Sequence, residues 1–368
     1  MIKLANVKLF TGEELIKCDV RINNEKVDKI GEISDSSVDK TYNLRELILI
    51  PPPIDLHTHV YYYATSLGVN PNDIVSKSGL MTLVDAGSSG AGNFMGLRKF
   101  VIEQSETKIF AFINIAFAGI PFFGVSKKGQ YSDIPNIEIA DVNLCKSTIQ
   151  NNLDVIVGVK VRLSGDANGE LGIEPLKRAK ECAKPFNLPV MVHFGIPPPD
   201  LDEIIPYLEK GDILTHTFRP EPNSILNRLN KVKGLKNKGV IIDVGHGRGS
   251  FSFTTAKKAL EENLLPDTIS TDIHKYSIPL PVVDLYTTMS KFLHLGMDLQ
   301  DILRSVTINP AKAINRQLDG KANFIGIEVV EGKRVPLYDS EGKVEHSTRF
   351  IIPKVQVKGE VIKPLQYS

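Results

Sequence analysis

Apolar and polar positions divide the chain into three zones. In residues 1–50, short alternating or apolar runs at 7–10, 17–22 and 26–30 are punctuated by Gly12, Asn23-Asn24 and Gly31. That texture predicts β-strands joined by tight turns. Beyond about residue 320 it returns at 325–330, 334–338 and 355–361, with Gly332, Gly342 and Gly359 as turns. The two ends are therefore expected to pair into one small β domain, with the middle of the chain inserted between them. The middle itself alternates. Near-continuous apolar strands are predicted at 80–86, 109–116, 155–161, 189–193, 213–216, 239–244 and 268–272. Helical stretches at 94–104, 140–151, 174–186, 200–210, 226–236 and 254–263 fall between them, and two longer ones follow at 281–295 and 299–314. A polar connection at 124–134 interrupts the rhythm. With the run that leads from Leu47 into Pro51, the strands number eight. This pattern predicts an α/β fold: a parallel (β/α)8 TIM barrel over residues 51–319 and a small β-sandwich domain from residues 1–50 and 320–368. The alternative, an open doubly wound sheet, would need a phosphate-binding fingerprint or a switch-point crevice, and the sequence carries no convincing one.

Composition narrows the function classes. Of the 368 residues 42% are hydrophobic and 24% charged, the balance of an ordinary globular protein. Lys plus Arg is 44 against 43 Asp plus Glu, so no basic field is available for nucleic acid or an anionic membrane. The three cysteines, Cys18, Cys145 and Cys182, are far apart and odd in number. They suggest neither a zinc pair nor a disulfide framework and suit a reducing compartment. The N-terminus lacks the apolar core of a signal peptide. The uncharged run 109–126 approaches the ~18–20 residues of a membrane span, but Asn114, Gly119, Pro121 and Gly124 interrupt it. The expectation is a cytoplasmic protein acting on a small molecule, with a homo-oligomer left open.

Candidate chemistry gathers where predicted strands end. The first strand runs through Ile54-Asp55-Leu56-His57-Thr58-His59, and strand alternation puts His57 and His59 on one face, with Asp55 one step behind. Lys160 sits inside the apolar fourth strand, the fifth ends in His193, the sixth in His216 and the eighth in Asp272. The gap from His216 to Asp272 accommodates two strand–helix units. At the C-terminal ends of barrel strands all six would face one cavity. Taken singly, the histidines read as ordinary interior side chains, and Lys160 as a residue that snorkels or pairs with Asp272. Together they read as a metal site.

The six positions resemble the amidohydrolase superfamily in its dihydroorotase-like, binuclear-metal form. Local text is similar to the amidohydrolase/deacetylase branch: Gly158-Val159-Lys160-Val161-Arg162, Asp243-Val244-Gly245-His246-Gly247, Ser270-Thr271-Asp272-Ile273-His274 and Met289-Ser290-Lys291-Phe292-Leu293. The resemblance implies two divalent ions, with zinc expected. His57, His59 and Asp272 would hold one, His193 and His216 the other, and Lys160, as its carbon dioxide carbamate, would bridge them. It further implies Asp272 as general acid and base in hydrolysis of an amide or ester, such as the acetyl esters of α-hydroxy acids that some relatives cleave. Independently, burial of Lys160 in a strand should lower its pKa and free the amine to add carbon dioxide. For the substrate, the glycine-flanked His246 and Arg248 could meet an anionic or carbonyl group, and Arg162, on the Lys160 face, could reach the pocket or act behind it. Readings kept beside this one are cyclic-amide hydrolysis, a mononuclear deaminase without use for Lys160, and a non-catalytic scaffold. Two departures from the family text stand out. Pro51-Pro52-Pro53 replaces the usual Pro-Gly, and 318–324 matches the return to the β domain poorly.

Overall fold

The computed structural model describes residues 1–34, 36, 38–122, 125–126, 129–130, 133–318 and 320–367. Much of the polar connection expected at 124–134, and Asp319 at the expected domain boundary, lie outside the described residues. The first fifty residues form β1 (Ile2–Phe10), β2 (Leu15–Asn23), β3 (Lys26–Gly31), β4 (Lys40–Asn43) and β5 (Ile48–Ile50). The middle supplies β6 (Ile54–Thr58), β7 (Thr82–Gly90), β8 (Lys108–Asn114), a short pair β9 (Val125–Ser126) and β10 (Gly129–Gln130), β11 (Ile156–Leu163), β12 (Val190–Phe194), β13 (Ile213–Thr215) and β14 (Ile241–Ile242). The C-terminal strands are β15 (Asn323–Tyr338), β16 (Val344–Lys358) and β17 (Val361–Pro364).

Both chain ends share one mixed sheet in the order β17-β16-β15-β5-β1-β2-β3, with β4 parallel to β1. β5 joins the two ends by pairing with β1 on one side and β15 on the other. Leu4, Val20, Ile22, Leu49 and Val357 pack together as its core. The hydrogen bonding thus links the two ends in one continuous sheet.

The middle forms a parallel sheet in the order β14-β13-β12-β11-β8-β7-β6, in which consecutive strands are neighbours. Alternation sorts its side chains. Leu56, Ala86, Phe112, Val157 and Met191 pack on one face with Ala311 and Ile314. Val159, Val161, Val190 and Val192 join the helices on the other, the bulge between Ile156 and Gly158 switching the parity of β11 after Val157. Burying each large side chain contributes roughly 1.5–3 kcal/mol. Because Val159 and Val161 face the helices, Lys160 and Arg162 must face inward, and His193 follows Met191 on the inner row.

The eighth predicted strand forms no regular ladder. Single bridges join Asp243 to Thr268 and Thr58 to Ile273. The segment is nonetheless hydrogen-bonded on both flanks. The N–H groups of Val244, His246 and Gly247 donate to Thr268, Ser270 and Thr271 carbonyls (3.1, 3.2 and 2.9 Å), and that of His59 donates to Ile273 (3.0 Å). Side chains replace the missing ladder bonds. Asp55 accepts from the Thr271 N–H (3.0 Å) and hydroxyl (2.6 Å), and Asp243 accepts from Thr268 (2.7 Å) and Ser270 (2.8 Å). Asp55 thus braces this segment; the register shift between Asp55 and Thr58 against β7 breaks the simple alternation that put it beside the histidines. Two other differences have local causes. The helix expected at 200–210 shortens to Leu201–Ile204 and a 3-10 turn at Ile205–Tyr207, because Pro206 removes a backbone donor. Cys145 and Cys182, far apart in sequence, meet as buried free thiols on facing helices. Among the described residues no helix is long and apolar enough to cross a membrane.

Candidate active site

At the C-terminal ends of the parallel strands lies a cavity of about 240 Å³. His57, His59, Lys160, His193, His216 and Asp272 all line it, with Arg162, Arg219, Arg248 and His274. Lys160 Nζ is 3.2 Å from His57 Nε2 and 3.3 Å from Met191 Sδ. Asp272 Oδ1 is 3.2 Å from His59 Nε2 and 3.5 Å from His57 Nε2. The His193 and His216 rings meet edge to face at 4.2 Å between centroids, and the His57 and His216 rings lie 5.0 Å apart. His216 and Asp272 both have positive φ, +67° and +48°. That left-handed backbone turns each side chain off the strand direction at a cost of about 1–3 kcal/mol.

A second layer sets the ring tautomers. His216 Nδ1 lies 2.6 Å from the Gly245 carbonyl, which can only accept, so the ring proton sits on Nδ1. Thr215 donates its hydroxyl hydrogen to Asp243 Oδ2 (2.6 Å) and is left to accept from His57 Nδ1 (2.9 Å). His59 Nδ1 is 2.8 Å from Ser88 Oγ. For His57 and His216 this leaves Nε2 as the unprotonated ring nitrogen, that of His57 beside Lys160 Nζ. Burial pushes His57, His193 and His216 well below the usual imidazole range, with neighbouring positive charges adding to the effect, and brings His59 to about 4. Burial also lowers Lys160 to about 7 and raises Asp272 to about 6. Uncharged imidazoles, a carboxylate and an amine near neutrality are the donor set that divalent ions require. Donor atoms of His57, His216 and Asp272 already lie within 4.8 Å of one another.

The chain is similar to several known proteins. A deacetylase of Brucella anthropi is 35% identical over 328 residues, which cover 86% of this chain and 80% of the relative. A deacetylase of Agrobacterium fabrum is 33% identical over 100% of this chain and 92% of its own length. A solved structure described as a dihydroorotase superposes with a TM-score of 0.90 at 32% identity, covering 99% of this chain and 98% of that one. Another, described as an adenine deaminase, gives 0.87 at 29% identity, covering 99% of each chain. The chain belongs to the amidohydrolase superfamily. No family model matches it. As an amidohydrolase it is a metal-dependent hydrolase.

Three further residues are candidates for the substrate side of this amidohydrolase, Arg162 for a place in the pocket or behind it. Arg162 is buried in the cavity wall, where its Nη1 donates to Asp133 Oδ2 at 2.6 Å. Arg248 is exposed at the rim. His246 is not brought to the cavity. Its ring is buried, stacked on Phe251 at 4.5 Å and 21°, because the left-handed glycines beside it turn the loop inward. Sequence reasoning missed Arg219, which lines the cavity at 7% exposure, and the Thr215–Asp243 pair behind His57. A lone arginine three residues past a strand end carries no pattern. Asp243 stood in a family-like stretch, but its role is visible only across strands.

Proposed function

We propose that this amidohydrolase binds two divalent ions, zinc being the expected metal, and hydrolyses an acyl amide or ester bond of a small acid in a deacetylase-type reaction. The observation that carries the reading is the convergence of six strand-end side chains on one cavity, with Nε2 of His57 and His216 presented by hydrogen bonds behind each ring. His57, His59 and Asp272 would hold one ion, and His193 and His216 the other. Lys160, with part of its population uncharged near pH 7, can add carbon dioxide and release a proton, and as that carbamate it would be a ligand to both ions. When bound, the ions supply Lewis acidity to the scissile carbonyl and lower the pKa of the attacking water. Asp272 takes the proton from that water and returns it to the leaving group; a carboxyl raised to about 6 is suited to both directions. Arg219 and Arg248 would receive a substrate carboxylate. Arg219 supports this because its buried Nε has no hydrogen-bond partner among the described residues.

The same reading extends to the architecture. We take the parallel sheet as a (β/α)8 barrel over residues 51–319, with 268–273 completing the ring between β14 and β6. Residues 1–50 and 320–368 would then form a small β-sandwich as the end sheet curls over its core. Three free thiols fit a reducing, cytoplasmic setting. The test is turnover of acetyl esters and N-acyl amino acids, beside cyclic imides, by metal-loaded protein and its Asp272→Asn variant. The reading expects loss of about 10²–10⁴-fold in the variant with the fold intact. Unchanged turnover would remove Asp272 from the chemistry.

A further inference from the structure

Lys291 is fully buried on the helix Leu285–His294, outside the cavity wall and unused by the chemistry above. Its Nζ donates to the Pro281 carbonyl at 2.7 Å and lies 2.7 Å from His246 Nε2. His246 Nδ1 lies 2.9 Å from the Gly247 carbonyl. A carbonyl only accepts, so Nδ1 carries the ring proton. Burial, and then the charge of Lys291, keep this ring uncharged. Its Nε2 therefore offers a lone pair, and Lys291 is the donor. The hydrogen bonds have one direction: Lys291 to His246 to the Gly247 carbonyl.

Gly247 is where this line reaches Asp272. Its N–H donates to the Thr271 carbonyl at 2.9 Å, and a Cβ built on it would collide with Asp272 Oδ2. Its φ of +51° favours glycine as well. The Gly247 backbone is thus a wall against which the carboxylate is set. The lysine at the far end is expensive to keep there. It makes no ion pair within 4 Å among the described residues, and burial brings it down to about 7 against the pull of Asp339 and Asp284. A methionine would fill the same space without desolvating an amine. The far side of the loop is anchored too: the Phe251 and Phe253 N–H groups donate to Ser340 Oγ and Asp339 Oδ2, both at 3.1 Å, at the tip of the β15–β16 hairpin.

We propose that Lys291 is a positioning residue for Asp272, acting through the His246 ring to fix the Gly247 backbone behind the carboxylate. The proposal rests on the assignment of Asp272 as the proton carrier. It is tested on metal-loaded, full-length protein by comparing Lys291→Met, Lys291→Gln, His246→Leu and the Lys291→Met/His246→Leu double variant for kcat, KM, bound metal and Tm. Misplacing a reacting group by a fraction of an ångström to an ångström costs about tenfold to a hundredfold. Lys291→Met should therefore lose about that much kcat, with KM within about twofold, unchanged bound metal and a Tm at or above that of the parent. Lys291→Gln keeps an N–H donor and should recover part of the loss, which also covers the case in which the methionine variant fails to fold. The double variant should be no worse than the poorer single, because both changes break one line of contacts. A parental kcat in Lys291→Met, a loss tracking metal or Tm, equal kcat for Met and Gln, or additive losses would each overturn the proposal. Asp272→Asn separates the two readings. If it is inactive while Lys291→Met is fully active, only the Lys291 proposal falls; if it is fully active, the role of Asp272 falls first.

Discussion

Thr215→Val removes one hydroxyl and leaves the packing volume nearly unchanged. Thr215 is fully buried, accepts from His57 Nδ1 at 2.9 Å and donates to Asp243 Oδ2 at 2.6 Å. Valine leaves the His57 ring N–H without an acceptor, a cost of about 1–3 kcal/mol for a buried donor. Asp243 suffers less, because Thr268 and Ser270 still donate to it. The ring can escape the cost only by moving its proton to Nε2, which fills the lone pair meant for an ion. Either way the loss falls on metal binding. Changes in residues that orient a metal-ligating histidine cost about 10–100-fold in affinity or activity, or about 1.4–2.8 kcal/mol at 1.4 kcal/mol per tenfold. The two routes to the magnitude agree. A competition titration against a chromogenic chelator, run beside turnover, should show Thr215→Val weakened by that factor and Thr215→Ser close to the parent. A valine variant that holds metal and turns over like the parent would mean that His57 takes its orientation from elsewhere.

Arg219→Met should raise KM for acylated acids about tenfold or more, the worth of a charge-assisted hydrogen bond, while neutral acyl esters are unaffected; equal effects on both would argue against a carboxylate at Arg219. Stability should depend on pH through Lys291. Its folded value of about 7 lies below the ~10.4 of an unfolded lysine, so between the two the unfolded chain holds the extra proton and the group's contribution to stability rises with pH. Melting curves at pH 7 and 9 should therefore show Lys291→Met losing its advantage over the parent as pH rises, and a constant gap would contradict this. Chelation of the metal-loaded protein should lower Tm, because ions that bind only the folded chain stabilise it.

Much of the candidate site was legible because strands impose a period and a polarity. His57 and His59 one pleat apart, Lys160 inside an apolar run and His193, His216 and Asp272 at later strand ends could be placed on one rim without coordinates. Residues acting across strands could not. Thr215 and Asp243 support His57 through contacts between chain segments far apart in sequence, and a threonine at a strand end announces nothing. Lys291 looks like any lysine on a helix until its burial is seen. His246 was misplaced for a physical reason. Flanking glycines indicate that a backbone can come close to something, and here it comes close to Asp272 while the ring packs on Phe251. Residues 268–272, with only Ile269 apolar, read as a strand from their β-branched texture and their place in the alternation of strands and helices, but part of their hydrogen bonding goes to the side chains of Asp55 and Asp243. Texture alone does not separate those two arrangements.

Six side chains from five strand segments, His57 on β6 and His59 just past its end, are proposed to grip a pair of ions. Anomalous diffraction from crystals of the metal-reconstituted protein tests this directly. Two peaks are predicted at ~2.0–2.2 Å from their nitrogen and oxygen ligands, one beside His57, His59 and Asp272 and one beside His193 and His216, with density continuing past Lys160 Nζ between them. A single peak, or two peaks away from Lys160, would contradict the account.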